Sequence, residues 1–261
     1  MSPHAVTQHG KHWALFLDVD GAWLEVAETP QRIQISEKIK QLLVTLSVRL
    51  DGAVALVSGR SLDDVDRLFA PLRFCVAGMW GCEYRESSGC VTRAPLRMEE
   101  LAAARQKLQA VVRQHTDLYL ENRRYGLAVH FRRVPHLEEE VRLMVSAACS
   151  DLGPQFVVEA GRCYVEVRPS VCTIASTISF FMQQAPFARR VPIFIGGDPR
   201  DEWGFDVVND LGGVSIRVGA AEHTVAKFGL SGVDDVIQWL ASVAINSDDA
   251  DGHHRSAGYP A

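Results

Sequence analysis

The sequence predicts an α/β protein: a parallel sheet with helices on both faces, interrupted by a smaller α+β unit. Three observations carry this expectation. Short, wholly apolar runs alternate with stretches of helical spacing near both ends of the chain, as strands buried on both faces do. Three of those runs end in polar residues, Asp18/Asp20, Ser58/Arg60 and Asp198/Asp201, at the edge where parallel sheets bind ligands. The middle of the chain instead alternates apolar and polar residues in pairs of short runs at hairpin spacing.

Taken in order, residues 13–19 (WALFLDV) read as a buried strand that ends on Asp20-Gly21. Residues 36–48 have helical spacing, with Ile39, Leu42, Leu43 and Leu46 on one face and Ser36 as N-cap. Residues 53–57 (AVALV) are a second strand, running into Ser58-Gly59-Arg60. Ser61 then opens a helix whose first turn carries Asp63 and Asp64, which suits the helix dipole. A third strand at 74–77 leads to Gly78 and Gly81. In the middle, helices are expected at 99–114 and 137–149, and strands at 118–121, 125–132, 155–159 and 163–167, with a turn at Ala160-Gly161-Arg162. Strands follow at 191–195 (VPIFI) and 214–218, and a closing helix at 233–240. The polar 246–261 tail is expected to be flexible, as are residues 1–12.

The chain has 261 residues, 47% hydrophobic and 23% charged, with a formal net charge of −5, so one large domain or two small ones fit equally. No apolar run approaches the roughly 18 residues that would span a bilayer. The opening MSPHAVTQHGKHW lacks the apolar core of a secretory leader, and a cytoplasmic location is expected. Without a basic block, nucleic acid is not an expected partner, and a monomer is expected. The six cysteines, 75, 82, 90, 149, 163 and 172, include no Cys-x-x-Cys pair. They are expected to be free and mostly buried thiols.

Asp18-Val-Asp20-Gly21 carries the chemistry. Two carboxylates two residues apart at a strand end can share one hard cation and leave an oxygen free to attack phosphorus. The second can act as general acid and base. Taken alone, the same four residues also read as a turn; a calcium loop would need further oxygen ligands downstream, which Ala22-Trp23-Leu24 do not supply.

LFLDVDG, ALVSGRSLDDVDRLF, AGMWGCEYR, VEVRP and FIGGDPRDEWGFDVVNDLGG, in this order, resemble the trehalose-6-phosphate phosphatase family of the haloacid-dehalogenase superfamily, over residues 13–240. The resemblance implies a Rossmannoid parallel core (13–95 and 168–243) with an inserted C2-type α+β cap (96–167). It implies a Mg2+-dependent phosphatase acting on trehalose 6-phosphate through an aspartyl-phosphate. Asp18 would be nucleophile and metal ligand, and Asp20 general acid/base with its carbonyl at the metal. Ser58 would bind phosphoryl oxygens and Arg60 would support that loop. Glu83 would lie near the sugar, and Glu121, Arg123, His130, Arg132 and Glu166 would face it from the cap. Asp198 would complete the metal site.

The chain departs from the family pattern at several positions, among them Trp80, which stands where a His-type residue is usual. Ala22 stands where threonine is usual, and Arg123 where lysine is. Ile174-Ala175 stands in place of a Lys-Gly pair whose lysine neutralises the aspartate–phosphate charge. Gly197 replaces the first aspartate of a Gly-Asp-Asp, leaving Asp198 or Asp201 to hold the metal. Arg60, Arg168 and Arg200 are the candidates for the missing cation. Because of Ile174 and Gly197, two alternatives stand beside a working phosphatase. One is a weak pseudo-phosphatase that binds a phosphosugar or a protein partner; the other is a phosphatase for another sugar phosphate.

Overall fold

A computed structural model describes residues 3, 12–20, 35–94, 99–161 and 163–245. Ala22, Arg162 and the 246–261 tail, on which expectations were placed, lie outside them. So does most of the 1–12 segment, although the Pro3 carbonyl accepts a hydrogen bond from Trp239 Nε1 at 3.2 Å.

The chain begins with β1 (Trp13–Asp18), α1 (Glu37–Arg49), β2 (Val54–Val57), α2 (Leu62–Phe69) and β3 (Cys75–Gly78). Each is where its pattern predicts, and both expected caps form. The Ser36 and Ser61 side chains accept from the backbone N–H groups of Ile39 and Asp64. Two short antiparallel strands, β4 (Glu83–Arg85) and β5 (Val91–Arg93), then extend the sheet edge. They have no counterpart in the sequence reading, because three residues are too few to establish a period.

The middle of the chain forms α3 (Glu100–Val112), β6 (Tyr119–Arg123), β7 (Gly126–His130), α4 (Glu138–Ala148), β8 (Phe156–Gly161) and β9 (Tyr164–Pro169). It then returns through α5 (Ile174–Met182), β10 (Val191–Gly196), α6 (Asp201–Asp210), β11 (Val214–Val218), β12 (Phe228–Leu230) and α7 (Val233–Ile245). Neither α6 nor β12 was expected. Gly204 in the middle of α6 disguises a helix, and it is there because a Cβ would lie 2.5 Å from the Phe194 ring and 2.7 Å from Ile174.

Eight strands form one sheet in the order β12-β11-β10-β1-β2-β3-β4-β5, and four form another in the order β6-β7-β9-β8. All pairings from β12 across to β3 are parallel. The chain builds outward from β1 to one side through β3 and later to the other through β12. The order therefore reverses at β1, and a crevice opens beyond the carboxyl ends of β1, β2 and β10. Each sheet has its own apolar core. Phe16, Leu56, Ile178, Phe194 and Trp239 are among the residues filling the first, and Leu108, Val129, Val145 and Val165 among those filling the second. Among the described residues no helix is long and apolar enough to cross a membrane.

The cysteine expectation is corrected at one pair. Cys82 and Cys172, 90 residues apart in sequence with Cα atoms 5.3 Å apart, form a disulfide, while Cys75, Cys90, Cys149 and Cys163 are free. Only the folded path brings these two together, so linear spacing gives no sign of the pair.

Candidate active site

Asp18 is the last residue of β1 and is fully buried. Its Oδ1 accepts from the Asp20 N–H at 3.4 Å, and its Oδ2 has no hydrogen-bond partner among the described residues. Burial first, then the charges of Asp201, Asp20 and Asp198, raise its pKa well above the ordinary carboxylate value; Arg200 pulls the other way. Asp201, at the start of α6, is also fully buried. Its Oδ2 accepts from the Asp198 N–H at 2.7 Å and its Oδ1 has no partner among the described residues. Burial and the Asp198 charge push it up to about 8.

Two buried carboxylates with orphan oxygens, each raised by burial and by neighbouring acid charge, are what a hard divalent cation would relieve. Among the described residues no three His, Cys, Asp or Glu side chains form a ready-made ligand set. The side-chain donors on offer are therefore the two carboxylates. Asp198 is differently engaged, its Oδ1 accepting from both the Arg200 N–H (3.0 Å) and Arg200 Nε (2.9 Å).

Ser58 follows β2 directly and is fully buried. Its hydroxyl donates to Asp20 Oδ2 at 3.2 Å and accepts from the Arg60 N–H at 3.0 Å. Arg60 grips the same carboxylate, with Nε 2.9 Å from Oδ2 and Nη2 2.6 Å from Oδ1. It thus holds Asp20 itself as well as its own loop. Trp80 packs on this loop from the turn after β3, where Met79 (φ 50°) and Trp80 (φ 56°) both adopt the left-handed region. A Cβ on Gly59 would lie 2.6 Å from the indole, so only glycine permits the contact. The Arg200 guanidinium stacks over the Trp80 ring at 3.8 Å.

The inserted sheet turns a polar face to the site. Strand register sets Glu121 beside Ala128, Ala128 beside Glu166, and Glu166 beside Glu159 in one row. His130 and Tyr164 are paired in a neighbouring row. Period-two alternation sends Leu127, Val129, Val165 and Val167 to the opposite, apolar side. Arg123 joins the acids: Nε donates to Glu121 Oε2 at 3.0 Å and Nη1 to Glu166 Oε2 at 2.5 Å. His130 Nε2 lies 2.8 Å from Glu121 Oε2. Burial alone would raise Glu121, but the His130 hydrogen bond and Arg123 hold it at about 2. Burial dominates at Glu166 and pushes it up to about 7. Glu166 Oε1 also pairs with Arg200 Nη1, joining the insertion to the larger sheet.

The structure therefore brings Asp18, Asp20, Ser58, Arg60, Asp198 and Asp201 together, and sets Glu121, Arg123, His130 and Glu166 in one network linked to them through Arg200. Glu83, in β4, is buried and paired with Arg93 at 3.3 Å, and the Arg124 charge of the inserted unit acts on it. Arg132 lies two residues beyond the end of β7. Tyr164 is a neighbour that the sequence reading missed: Arg123, Arg200 and His130 all pack on its ring at 5.0–5.5 Å. The alternation of YVEVRP, which sets Tyr164 on the same face as Glu166, is the signal that could have found it. Ile174, buried at the start of α5, lines one cavity with Arg200, Trp80 and Thr173.

A parallel sheet that reverses at an aspartate-tipped strand, with an α+β insertion over that edge, defines a haloacid-dehalogenase-type fold. The chain belongs to the trehalose-phosphatase family, whose profile matches residues 16–234. It is 34% identical to the trehalose-6-phosphate phosphatase of Escherichia coli K12, over 95% of this chain and 92% of that protein. It is 37% identical to a probable trehalose-phosphate phosphatase of Sinorhizobium fredii, over 80% and 78%. In three dimensions it resembles the C-terminal domain of Candida albicans trehalose-6-phosphate phosphatase, with a TM-score of 0.80 at 18% identity over 92% and 94% of the two chains.

Proposed function

We propose that this chain hydrolyses trehalose 6-phosphate to trehalose and phosphate, with Asp18 as nucleophile. The carrying observation is the fully buried Asp18 carboxylate, its Oδ2 unpartnered, beside Ser58 and Asp20 in a chain 34% identical to an E. coli enzyme of that name. Asp18 Oδ2 forms a new bond to phosphorus as the ester P–O bond breaks. Asp20, held by Ser58 and Arg60, gives a proton to the departing sugar oxygen. It then takes one from the water that opens the aspartyl-phosphate, which returns Asp18 and releases phosphate. Ser58, at the same strand-end crevice, is the proposed partner of the phosphoryl oxygens.

Mg2+, when bound, would offset the repulsion between a carboxylate and a phosphate dianion. Asp18, Asp201 and the Asp20 carbonyl are the proposed holders. Asp201 is preferred to Asp198 because it keeps an orphan oxygen, whereas Asp198 Oδ1 is already engaged by Arg200. This choice also accommodates Gly197, which offers no ligand. The polar face of Glu121, Arg123, His130 and Glu166, together with Glu83 and Arg132, is read as the sugar-facing side. A two-ring sugar offers hydroxyls that such alternating donors and acceptors match.

Phosphate release from trehalose 6-phosphate with Mg2+ tests the reading. The wild-type protein is expected to turn over, and Asp18→Asn to be slower by roughly a thousandfold or more. Release no faster than from Asp18→Asn would overturn it.

A further inference from the structure

We infer that Arg200 is the cation that neutralises the phosphoryl charge at Asp18, and that Trp80 is the positioning residue that holds it there. The inference rests on the phosphatase reading above. A dianion cannot approach Asp18, Asp20, Asp198 and Asp201 without a fixed positive charge beside them. The other arginines nearby are committed. Arg60 is spent on the Asp20 carboxylate and Arg123 on Glu121 and Glu166. Arg168 is turned to Glu159 and to the carbonyls of Pro169 and Cys172.

Arg200 differs from these. Its Nε goes to Asp198 and its Nη1 to Glu166, while Nη2 donates to no acceptor among the described residues. One arm of the fork therefore remains for a phosphoryl oxygen, a charge-assisted bond of the strong kind. Of the groups that act most on Asp18, it is the one that draws the carboxyl down.

The way Arg200 is held explains why an arginine suits the position. The guanidinium sits over the Trp80 ring, 3.8 Å from its centroid, and the indole packs against Gly59, so Trp80 ties Arg200 to the Ser58–Arg60 loop. A lysine has no planar group to stack in this way. Ile174 lines the same cavity as Arg200 and Trp80. A lysine rooted at residue 174 would thus enter the space that Arg200 serves. Ile174 is also where the resemblance expects a lysine, and the cation enters from α6 instead of α5.

Four proteins test this: wild type, R200M, I174K and R200M/I174K, each assayed for kcat on trehalose 6-phosphate with Mg2+. R200M is expected to lower kcat about a hundredfold to a thousandfold. I174K alone supplies the reference against which the coupling is measured. In the R200M background, I174K is expected to recover at least about tenfold, a coupling that a merely structural role for Arg200 would not produce. R200M within about fivefold of wild type, or no recovery on adding I174K, overturns the inference.

Should R200M fail to fold, R200K carries the test. Charge is kept while fork and stack are lost, so kcat is expected to fall about tenfold, and an unchanged kcat overturns the inference. Calorimetric titration with orthovanadate and Mg2+ separates this inference from the phosphatase reading. If wild type releases no phosphate, that reading fails, and the inference is still judged by vanadate affinity. Affinity is expected to be at least about tenfold weaker in R200M; equal affinity overturns the inference.

Discussion

Gly196 ends β10 where no side chain fits: a Cβ there would lie 2.4 Å from Asp201 Oδ2. The glycine is therefore part of how Asp201 is aimed. G196A is expected to turn Asp201 out of line, at a cost of about 1–3 kcal/mol in stability. The Mg2+ concentration for half-maximal activity should rise several-fold, and an unchanged activation curve would show that Asp201 holds no metal. At this scale the sequence was informative wherever a residue sits at a strand end. Asp18, Asp20, Ser58 and Asp201 could be picked out because the end of an apolar run marks the crevice. Choosing among Arg60, Arg168 and Arg200 was another matter. The choice depends on partners such as Glu166 and Trp80, which lie on other elements tens of residues away or more and carry no mark of that proximity.

Among elements, the regular ones were legible from period and caps. The apolar face of α1 and the runs of β1, β2 and β10 need only local spacing to be seen. α6, β4, β5 and β12 were not, because three-residue strands set no period and Gly204 answers to Phe194 and Ile174, not to its own helix. α5 shows what a cap does for the site. Thr173 Oγ1 accepts from the Ser176 N–H at 3.0 Å, and Ser176 Oγ accepts from the Thr173 N–H at 3.2 Å. This reciprocal cap fixes the first turn of the helix, and with it Ile174 in the shared cavity. T173A is expected to lose about 1 kcal/mol, read as a lower melting temperature. A melting temperature equal to wild type would mean that packing alone sets the helix start.

For the whole molecule, buried acids with raised pKa values, Asp18 and Glu83 among them, make stability depend on pH. Glu166 is raised to about 7 and Asp201 to about 8, from ordinary values of 4.5 and 3.8. A carboxyl whose folded pKa is raised stabilises the fold below its unfolded pKa and loses that contribution as pH rises through the folded value. Without metal, the melting temperature is therefore expected to fall between about pH 5 and pH 8. Glu121, held at about 2, acts in the opposite sense but only below about pH 4.5, outside this window. A cation at Asp18 and Asp201 relieves the upper part of the loss. Added Mg2+ should thus raise the melting temperature more at pH 8 than at pH 5.5, and equal shifts would argue against a metal at these carboxylates.

The disulfide between Cys82 and Cys172 bears on how the molecule carries load. Cys82 precedes β4 and Cys172 precedes α5, so the bond closes a loop that holds the two edge strands β4 and β5 together with the inserted segment. Tension applied at the two termini passes from sulfur to sulfur and bypasses everything between. With 90 residues of separation at about 3.5 Å each, roughly 300 Å of contour length stays slack. Mechanically, the part of the protein that covers the crevice is a closed side-loop, and it enters the line of force only once the sulfurs are parted.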